Sequence, residues 1–570
     1  MYILGIHYYG HNTSVALFKN NKLLFAIEEE RLSRKKNDGS IPYLGISEIL
    51  KKYKLKINDI KVISFATIPE KLIKEKYLKY TLEDYANRKE IFFEEKSFEN
   101  LRFLNTFEKN FKKKLGFHNK IFFFNHHLCH LYASYYLSGF KDALCVSIDG
   151  LGEIESTMIG SIKSNKHKII KSINYPHSLG KVYEAITFFL GFNPSTSAGT
   201  VMALAAMGNA RKKLTTKLDY YQVFKNIIKD DKKDIYKIDT TWFNFPFSRN
   251  GWVSNKFIKF FGKKRPVNSK SFSEHHKSIA SALQKRFEEI YVKIIKHGQK
   301  KTSLKNLVLS GGCVLNCKAN GELNKLNFDK IYIQPASGDS GLSIGAAKMA
   351  YNFIKKNKVL KNAKFNHTYL GTEIKDHDIK FFAKKYNLKL KKFSNIEKIA
   401  ASYIFNNKII GWVQGRSEFG PRALGNRSIL AAPNSIHIKN KINKNIKKRQ
   451  FFRPFAPSIL DEHYKKIYIS KYESPFMLMA IKANKMYHEK IKGTLHFDNT
   501  ARVQAVTKLT NRKYYKLISE YYKISGIPLV LNTSFNGKDV PIVNSAKDAI
   551  LEFKKIKLDA LFINNYLINL

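Results

Sequence analysis

Cysteine is scarce, with four residues in 570. That count excludes a disulfide framework and fits a reducing cytosol, so the cytoplasm is the expected location. No apolar run approaches the ~20 residues of a membrane-spanning helix. The opening MYILGIHYYG lacks a basic region and reads as a strand, not a signal peptide. Low-complexity tracts and short-period repeats are absent. Hydrophobic residues at 44% and charged residues at 26% are ordinary for a globular protein. Disorder, collagen and a coiled-coil rod are therefore excluded. At ~150 residues per domain, the length implies two to four domains.

Acidic residues are also few, 46 against 100 basic ones, for a net charge of +54. Lysine is dispersed over the whole chain and forms no single block. This is the pattern of a compositional drift over solvated faces. Nucleic acid, the other partner such a charge suits, is the lesser reading. Arginine is the rare cation: 15 residues against 85 lysines. Where this chain keeps arginine, a planar fork is the physical reason. Arg416, Arg422, Arg427, Arg449 and Arg453 fall within 38 residues. A bidentate phosphate or carboxylate site is the reading. The alternative is that some of them pair structurally with Glu418 or Asp461.

The pattern is α/β. ILGIHYY, SVALFKN and LLFAIEE read as strands, the last two a hairpin about Asn20 and Asn21. A helix is expected near 43–53, then the strand KVISFAT. KIFFFN at 120–125 is a buried strand, and His126 to Ser138 has helical periodicity. ALCVSID at 143–149 is another buried strand, followed by a hairpin. SLGKVYEAITFFLGF at 178–192 is a helix. Residues 210–275 read as an irregular aromatic insert, with a helix after it at 276–298. NLVLSGG and KIYIQPASGDSG are strands leading into loops and helices. The region reads as one plan built twice. A thin stretch at 355–366 reads as the linker to a second α/β domain.

Three constellations carry chemistry. His126 and His130, four apart at a helix start, share a face and could grip one metal; His127 and His130 are the competing pair. Asp149 and Asp339 each end a strand, where carboxylates face a cleft. Two His and two Asp suit Fe, Mn or Zn. The turns at Gly10–Ser14, Asp149–Gly152 and Ser310–Gly312 each follow a strand, as phosphate-binding turns do. Three such turns in two similar halves point to an actin-like, sugar-kinase-like ATPase architecture.

The HHxxH helix, IDGLGE, PHSLGKVYEAITFFLGF, SGGCVLNCKAN and PASGDSGLSIGAA together resemble the NodU/CmcH-type O-carbamoyltransferases. GRSEFGPRALGNRSILAAP, IKKRQFFRPFAPSIL, TARVQAV and PLVLNTSFNGKDVPIV extend the resemblance through the C-terminal part. It implies an actin-like, duplicated ribonuclease-H-like, metal-dependent ATPase-type domain over 1–360. A YrdC-like α/β domain over 361–570 would follow. It implies that ATP and carbamoyl phosphate form carbamoyl-adenylate in the C-terminal domain. The carbamoyl group would then pass to an acceptor hydroxyl, on a saccharide or other small molecule, at the N-terminal metal site. The implied metal is Fe(II), with Mn or Zn as alternatives, held by His126, His130, Asp149 and Asp339. Mg would accompany ATP.

The resemblance also assigns roles residue by residue. Asp149, Gly150, Leu151, Gly180, Gly311 and Asn316 fall at nucleotide positions. Arg422, Arg502, Asn532, Ser534, Arg416 and Arg453 fall at or beside carbamoyl-phosphate positions, with Arg427, Arg449 and Thr533 in support. His11 stands as general base, and Glu184 and Asp239 as acceptor contacts. Asn12 stands where the family has Asp, and Thr200 where Lys is common. Cys129, Cys313 and Cys317 read as packed thiols. Trp242, Trp252, Phe243, Phe245 and Phe247 read as core or as sugar-stacking faces. A homo-oligomer is compatible with the sequence. The competing functions are threonylcarbamoyl transfer to tRNA and a non-catalytic nucleotide-binding sensor.

Overall fold

The computed structural model describes residues 1–8, 10–74, 95–246, 251–269, 271–356 and 364–569. The chain divides into two compact units, Met1–Leu24 with Gly39–Lys364, and Phe25–Asp38 with Phe365–Leu570. Sequence reading assigned residues 25–38 to the first domain; the structure counts them with the second. Phe247 and residues 357–363 of the expected linker lie outside the described residues. No helix among the described residues is long and apolar enough to cross a membrane.

The first unit is mixed α/β with two five-stranded sheets. The first contains β1 (Tyr2–His7), β2 (Ser14–Lys19), β3 (Lys22–Glu28), β4 (Ile60–Phe65) and β5 (Lys120–Phe123), in the order β3-β2-β1-β4-β5. Here β1 runs antiparallel to β2 and parallel to β4, which is parallel to β5. The second contains β6 (Asp142–Ile148), β7 (Glu155–Lys163), β8 (Lys166–Asn174), β9 (Asn306–Ser310) and β10 (Lys330–Ile333). Its order is β8-β7-β6-β9-β10, with β6 antiparallel to β7 and parallel to β9. The two sheets thus share one strand order and one set of directions. Their central strands are buried on both faces, which is why they read as continuous apolar runs.

Four helices position the candidate site: α1 (His126–Ser138), α2 (Leu179–Phe189), α3 (Glu274–Thr302) and α4 (Leu342–Ile354). α4 packs on both α1 and β1. Small residues make that approach possible. A Cβ on Gly345 would lie 1.9 Å from the Cys129 carbonyl oxygen of α1, and one on Gly5 1.9 Å from the Ser343 carbonyl oxygen of α4.

The insert is more regular than its sequence suggested. It holds the helix Tyr220–Ile227, a hairpin of Ile228–Asp231 with Ile235–Ile238, and the helix Asn255–Phe261. These elements are short, so periodicity could not separate them from loop. Trp242 is buried against Phe257, Phe260 and Phe261 and serves as core. All four cysteines are free thiols; Cys129, Cys145 and Cys317 are buried and Cys313 is half-buried.

The second unit is built on an eight-stranded sheet. Its strands are β11 (Leu390–Lys392), β12 (Ile410–Val413), β13 (Arg427–Ala431), β14 (Ala456–Leu460), β15 (Gln504–Val506), β16 (Leu529–Ser534), β17 (Ala560–Ile563) and β18 (Tyr566–Ile568). The order is β11-β18-β17-β12-β13-β16-β14-β15. Residues 25–38 join this unit through polar bonds. Glu28 accepts from Gly420 N at 2.8 Å, Arg31 donates to Gly420 O at 2.7 Å, and Arg34 donates to Pro541 O and Ile542 O.

The α1–α4 approach generates a test. Gly345→Ala should destabilise the first unit by about 2–3 kcal/mol through overpacking against backbone. Calorimetry should show the melting of that unit shifted down and that of the second unit unchanged.

Candidate metal centre and anion-binding cluster

The geometry begins at the N-terminus of α1. Asn125 caps the helix, its Oδ1 accepting from Leu128 N at 3.0 Å. Its Nδ2 donates to Glu153 at 2.9 Å and to Glu155 at 3.3 Å. Glu153, buried, accepts from His126 N at 3.2 Å and from Ile68 N at 3.0 Å. A carboxylate at this end of a helix satisfies orphan N–H groups and complements the dipole. Burial nevertheless holds the Glu153 carboxyl above its ordinary range. The first turn is fixed, and His126 and His130 emerge one above the other.

They meet Asp149, just past β6, and Asp339, in the loop after β10. One ligand atom from each of the four residues lies within 4.8 Å of all the others. His126 Nε2 is 3.1 Å from Asp149 Oδ2 and 3.8 Å from Asp339 Oδ1. His130 Nε2 is 3.7 Å and 3.9 Å from the same two atoms. The other Asp149 oxygen, Oδ1, accepts from Gly312 N at 2.8 Å. Burial alone would hold His126 neutral, but its hydrogen bond to Asp149 and the charge of Asp339 push it up to about 9. Burial opposes ionisation of Asp149, yet His126 and His130 hold its carboxyl well below the usual range. His130 Nε2 is buried without a hydrogen-bond partner. An orphaned imidazole nitrogen facing two carboxylates is the donor arrangement of a first-row divalent metal site.

His127 is not part of this set. Its Nδ1 lies 2.6 Å from Ser147 Oγ and its Nε2 2.9 Å from Glu155 O, so both nitrogens are engaged. The pairing of His126 with His130 is the one that the structure brings to the aspartates. His11 stands at the edge with its ring half exposed, Nδ1 3.9 Å from Asp339 Oδ2. Sequence reading missed His7 at the end of β1, which is buried and 3.7 Å from the same oxygen. Its one signal was the four-residue spacing from His11. Asn12, where the resemblance expected Asp, has a φ of 55°, a left-handed conformation that Asn tolerates. Thr200 is buried on the helix Ala198–Ala205.

Two of the glycines assigned to nucleotide positions, Gly150 and Gly180, pack on each other, and Gly311 packs on Ile148. A Cβ on Gly180, at the start of α2, would lie 2.7 Å from Gly150 Cα. Ser178 caps α2 and donates to Gly150 O at 2.6 Å. Gly311 has a φ of 97°, and its N–H donates to Ser337 O at 2.7 Å. Leu151 is half-buried in the Asp149 turn. Asn316 lies further along, in a reciprocal amide pair with Gln284 on α3. Glu184 is ion-paired with Lys181 at 2.7 Å, and both flank Gly150. Lys181 also lies over the Trp252 ring, 5.7 Å from its centroid. Asp239 is not brought to this group: it caps its own turn and pairs with Lys229 at 3.2 Å.

In the second unit the arginines divide by role. Glu418 organises the loop before β13 by accepting from the N–H groups of Leu424, Asn426 and Arg427. Arg427 is fully buried, and its guanidinium donates to the carbonyls of Thr372, Gln414, Gly415, Asn426 and Asn544. Arg416 bonds the carbonyls of Leu370 and Gly371. Both forks hold backbone. Arg422, half-buried, projects from the same loop. Asn532 Nδ2 binds Ala423 O and Ser458 Oγ, while its Oδ1 is buried without a donor.

Arg449, Arg453 and Arg502 are mutual electrostatic neighbours. Burial and then the charges of Arg453 and Arg502 press Arg449 well below its ordinary range. Burial and then Arg502 bring Arg453 down to about 10. Lys447, which sequence reading missed, is buried beside them. Its Nζ donates to Ser534 O at 2.6 Å and to Asn536 O and Oδ1, each at 2.8 Å. Burial, with Arg449 next, holds it well below the usual lysine range. Among the described residues, Lys447, Arg449 and Arg453 form no ion pair with an acid. Clustered cations left unpaired in this way suit a polyanion.

Residues 2–348 match the family described as carbamoyltransferase N-terminus, and residues 401–569 that described as carbamoyltransferase C-terminus. The chain belongs to the carbamoyltransferase family. Nodulation protein NolNO of Sinorhizobium fredii is 30% identical to it over 98% of this chain and 79% of that one. Nodulation protein NolO of Bradyrhizobium diazoefficiens is 31% identical over 78% of each. A solved structure of full-length HypF, in its phosphate- and nucleotide-bound form, aligns with a TM-score of 0.32 at 15% identity. That alignment covers 63% of this chain and 56% of HypF. The enzyme is a transferase of carbamoyl groups.

Two outcomes are expected of this carbamoyltransferase. First, Arg427→Met should cost about 3–5 kcal/mol, because it strands buried carbonyls. Arg453→Met should leave the unliganded melting temperature unchanged or higher, since it relieves repulsion, and pyrophosphate should raise the melting temperature of the unmodified chain but not that of the variant. Thermal shift assays check both. Second, burial and the neighbouring His126 and His130 lower His127 to about 3. Its neutral form is the folded one, so stability is full above the unfolded value of ~6.5 and is lost as pH falls toward 3. The slope from this group is at most ~1.4 kcal/mol per pH unit. Denaturant titrations across that window should show a shallower loss in His127→Gln.

Proposed function

We propose that the protein is an ATP- and carbamoyl-phosphate-dependent O-carbamoyltransferase. In this reading the second unit is YrdC-like and forms carbamoyl-adenylate. The first is a duplicated, ribonuclease-H-like, actin-like domain, where carbamoyl passes to an acceptor hydroxyl. The observation that carries the reading is the pairing of two unlike sites in a carbamoyltransferase chain. One is a His₂Asp₂ cluster, the other a cluster of cations that, among the described residues, form no ion pair with an acid. The shared strand order of the two sheets supports the actin-like assignment.

His126, His130, Asp149 and Asp339 would hold a divalent metal, Fe(II) in this reading. When bound it supplies Lewis acidity to a carbonyl or phosphate oxygen. The turns at Gly150 and Gly180 bring backbone close together and, with Gly311, form the face offered to the nucleotide. Arg422, Arg453 and Arg502, with Lys447 and Arg449, bind the phosphates of carbamoyl phosphate and ATP. Asn532 Oδ1 is an acceptor for the carbamoyl NH₂. In the adenylate-forming half, water releases inorganic phosphate from carbamoyl phosphate, an oxygen of the resulting carbamate attacks the α-phosphorus of ATP, and pyrophosphate leaves. In the transfer half, the acceptor oxygen attacks the carbonyl carbon, AMP leaves, and the hydroxyl proton passes to His11. Glu184 stands beside Gly150 as an acceptor contact, with Trp252 reached through Lys181, and a sugar hydroxyl is the acceptor class this favours.

The test needs no acceptor. Purified protein supplied with ATP should release pyrophosphate only when carbamoyl phosphate is added, and Arg502→Ala should abolish the release. A folded, metal-supplied protein that releases none would sink the adenylate route. Weight would then move to threonylcarbamoyl transfer or to nucleotide sensing.

A further inference from the structure

Asp339 divides its two oxygens between two groups of histidines. Oδ1 faces His126 Nε2 at 3.8 Å and His130 Nε2 at 3.9 Å. Oδ2 faces His7 Nε2 at 3.7 Å and His11 Nδ1 at 3.9 Å. His7 has a second neighbour on the same nitrogen: Nε2 lies 3.3 Å from His11 O. A carbonyl only accepts, so the His7 proton is on Nε2. Nδ1 is left buried with no partner. The ring is 1% exposed at the end of β1. A buried unpartnered nitrogen costs stability that an aliphatic side chain would avoid. The return for that cost lies on the Nε2 side, where one N–H stands between the His11 turn and the Asp339 carboxylate.

We propose that His7 is a positioning residue of the metal centre. It fixes Asp339 Oδ2, so that Oδ1 points toward His126 and His130. Through His11 O it also fastens the turn that carries the proposed base to the same carboxylate. A carboxylate held from its far oxygen presents its near one with less orientational loss, which raises metal affinity. This inference rests on the metal reading given above.

Co(II) is the probe, titrated into the metal-free full-length chain against a competing chelator and followed by its visible d–d absorption. His7→Gln can return a donor near the Nε2 position and should bind Co(II) within ~3-fold of the unmodified chain. His7→Asn is too short to reach Asp339 and should bind 10–100-fold more weakly, with a shifted spectrum. If the Asn variant does not fold, the ring-sized His7→Phe takes its place with the same expectation. Unchanged affinity and spectrum in the shortened or apolar variant would overturn the proposal. So would equal losses in that variant and His7→Gln. An unmodified chain that takes up no Co(II) overturns the metal reading itself. An unmodified chain that binds, with variants that bind alike, overturns only the role of His7.

Discussion

Asp149 is buried, and a buried carboxylate stays ionised only where donors converge on it. The first unit is arranged to supply them. β6 delivers the residue, and Gly312, after β9, gives its N–H to one oxygen. The first turn of α1 brings an imidazole to the other. That turn is in place because Asn125 and Glu153 cap it. α1 in turn lies against α4, and α4 against β1, through contacts that tolerate no Cβ at Gly345 or Gly5. A chain of necessities therefore runs from one charge to the packing of the whole unit.

The second unit has the opposite imbalance. Lys447 is buried and Arg449 and Arg453 are half-buried beside it, and the cations oppose one another's charge. Backbone and side-chain oxygens satisfy Lys447 as a donor but do not neutralise it. The fold accepts that cost locally and holds the cluster with rigid parts. Arg427 and Arg416 belong to those parts, locking loops by their carbonyls. Arg427 and Arg449, which share one arginine-rich stretch of sequence, thus do two different jobs.

Local features of the site were legible in the sequence. His126 and His130 are one helical turn apart, and Asp149 follows a buried apolar strand. What the sequence could not reveal depends on partners far away along the chain. Glu153 matters because Asn125 and Ile68 reach it. His7 matters because Asp339 does, more than 300 residues later. Lys447 looked like one lysine among 85, and only its burial against Ser534 and Asn536 sets it apart. Arg416 and Arg427 could not be separated from Arg453 by spacing, since carbonyls leave no mark on a sequence pattern. Asp239 was read near the acceptor, but its carboxylate is occupied by its own turn and by Lys229. The switch of residues 25–38 to the second unit was hidden because the hairpin pattern runs through it unbroken.

That switch has a consequence for how such a protein can be divided or inherited. The chain passes from one unit to the other three times, at 24/25, 38/39 and 364/365. A gene fragment cut at the last crossing alone would encode a second unit stripped of Glu28, Arg31 and Arg34. The Gly420 amide and the carbonyls at Gly420, Pro541 and Ile542 would lose their bonding groups. Recombination between related genes at that junction would pair a loop from one parent with a buckle from another. The two units are therefore bound to evolve as a single heritable piece, although each has a sheet and a core of its own.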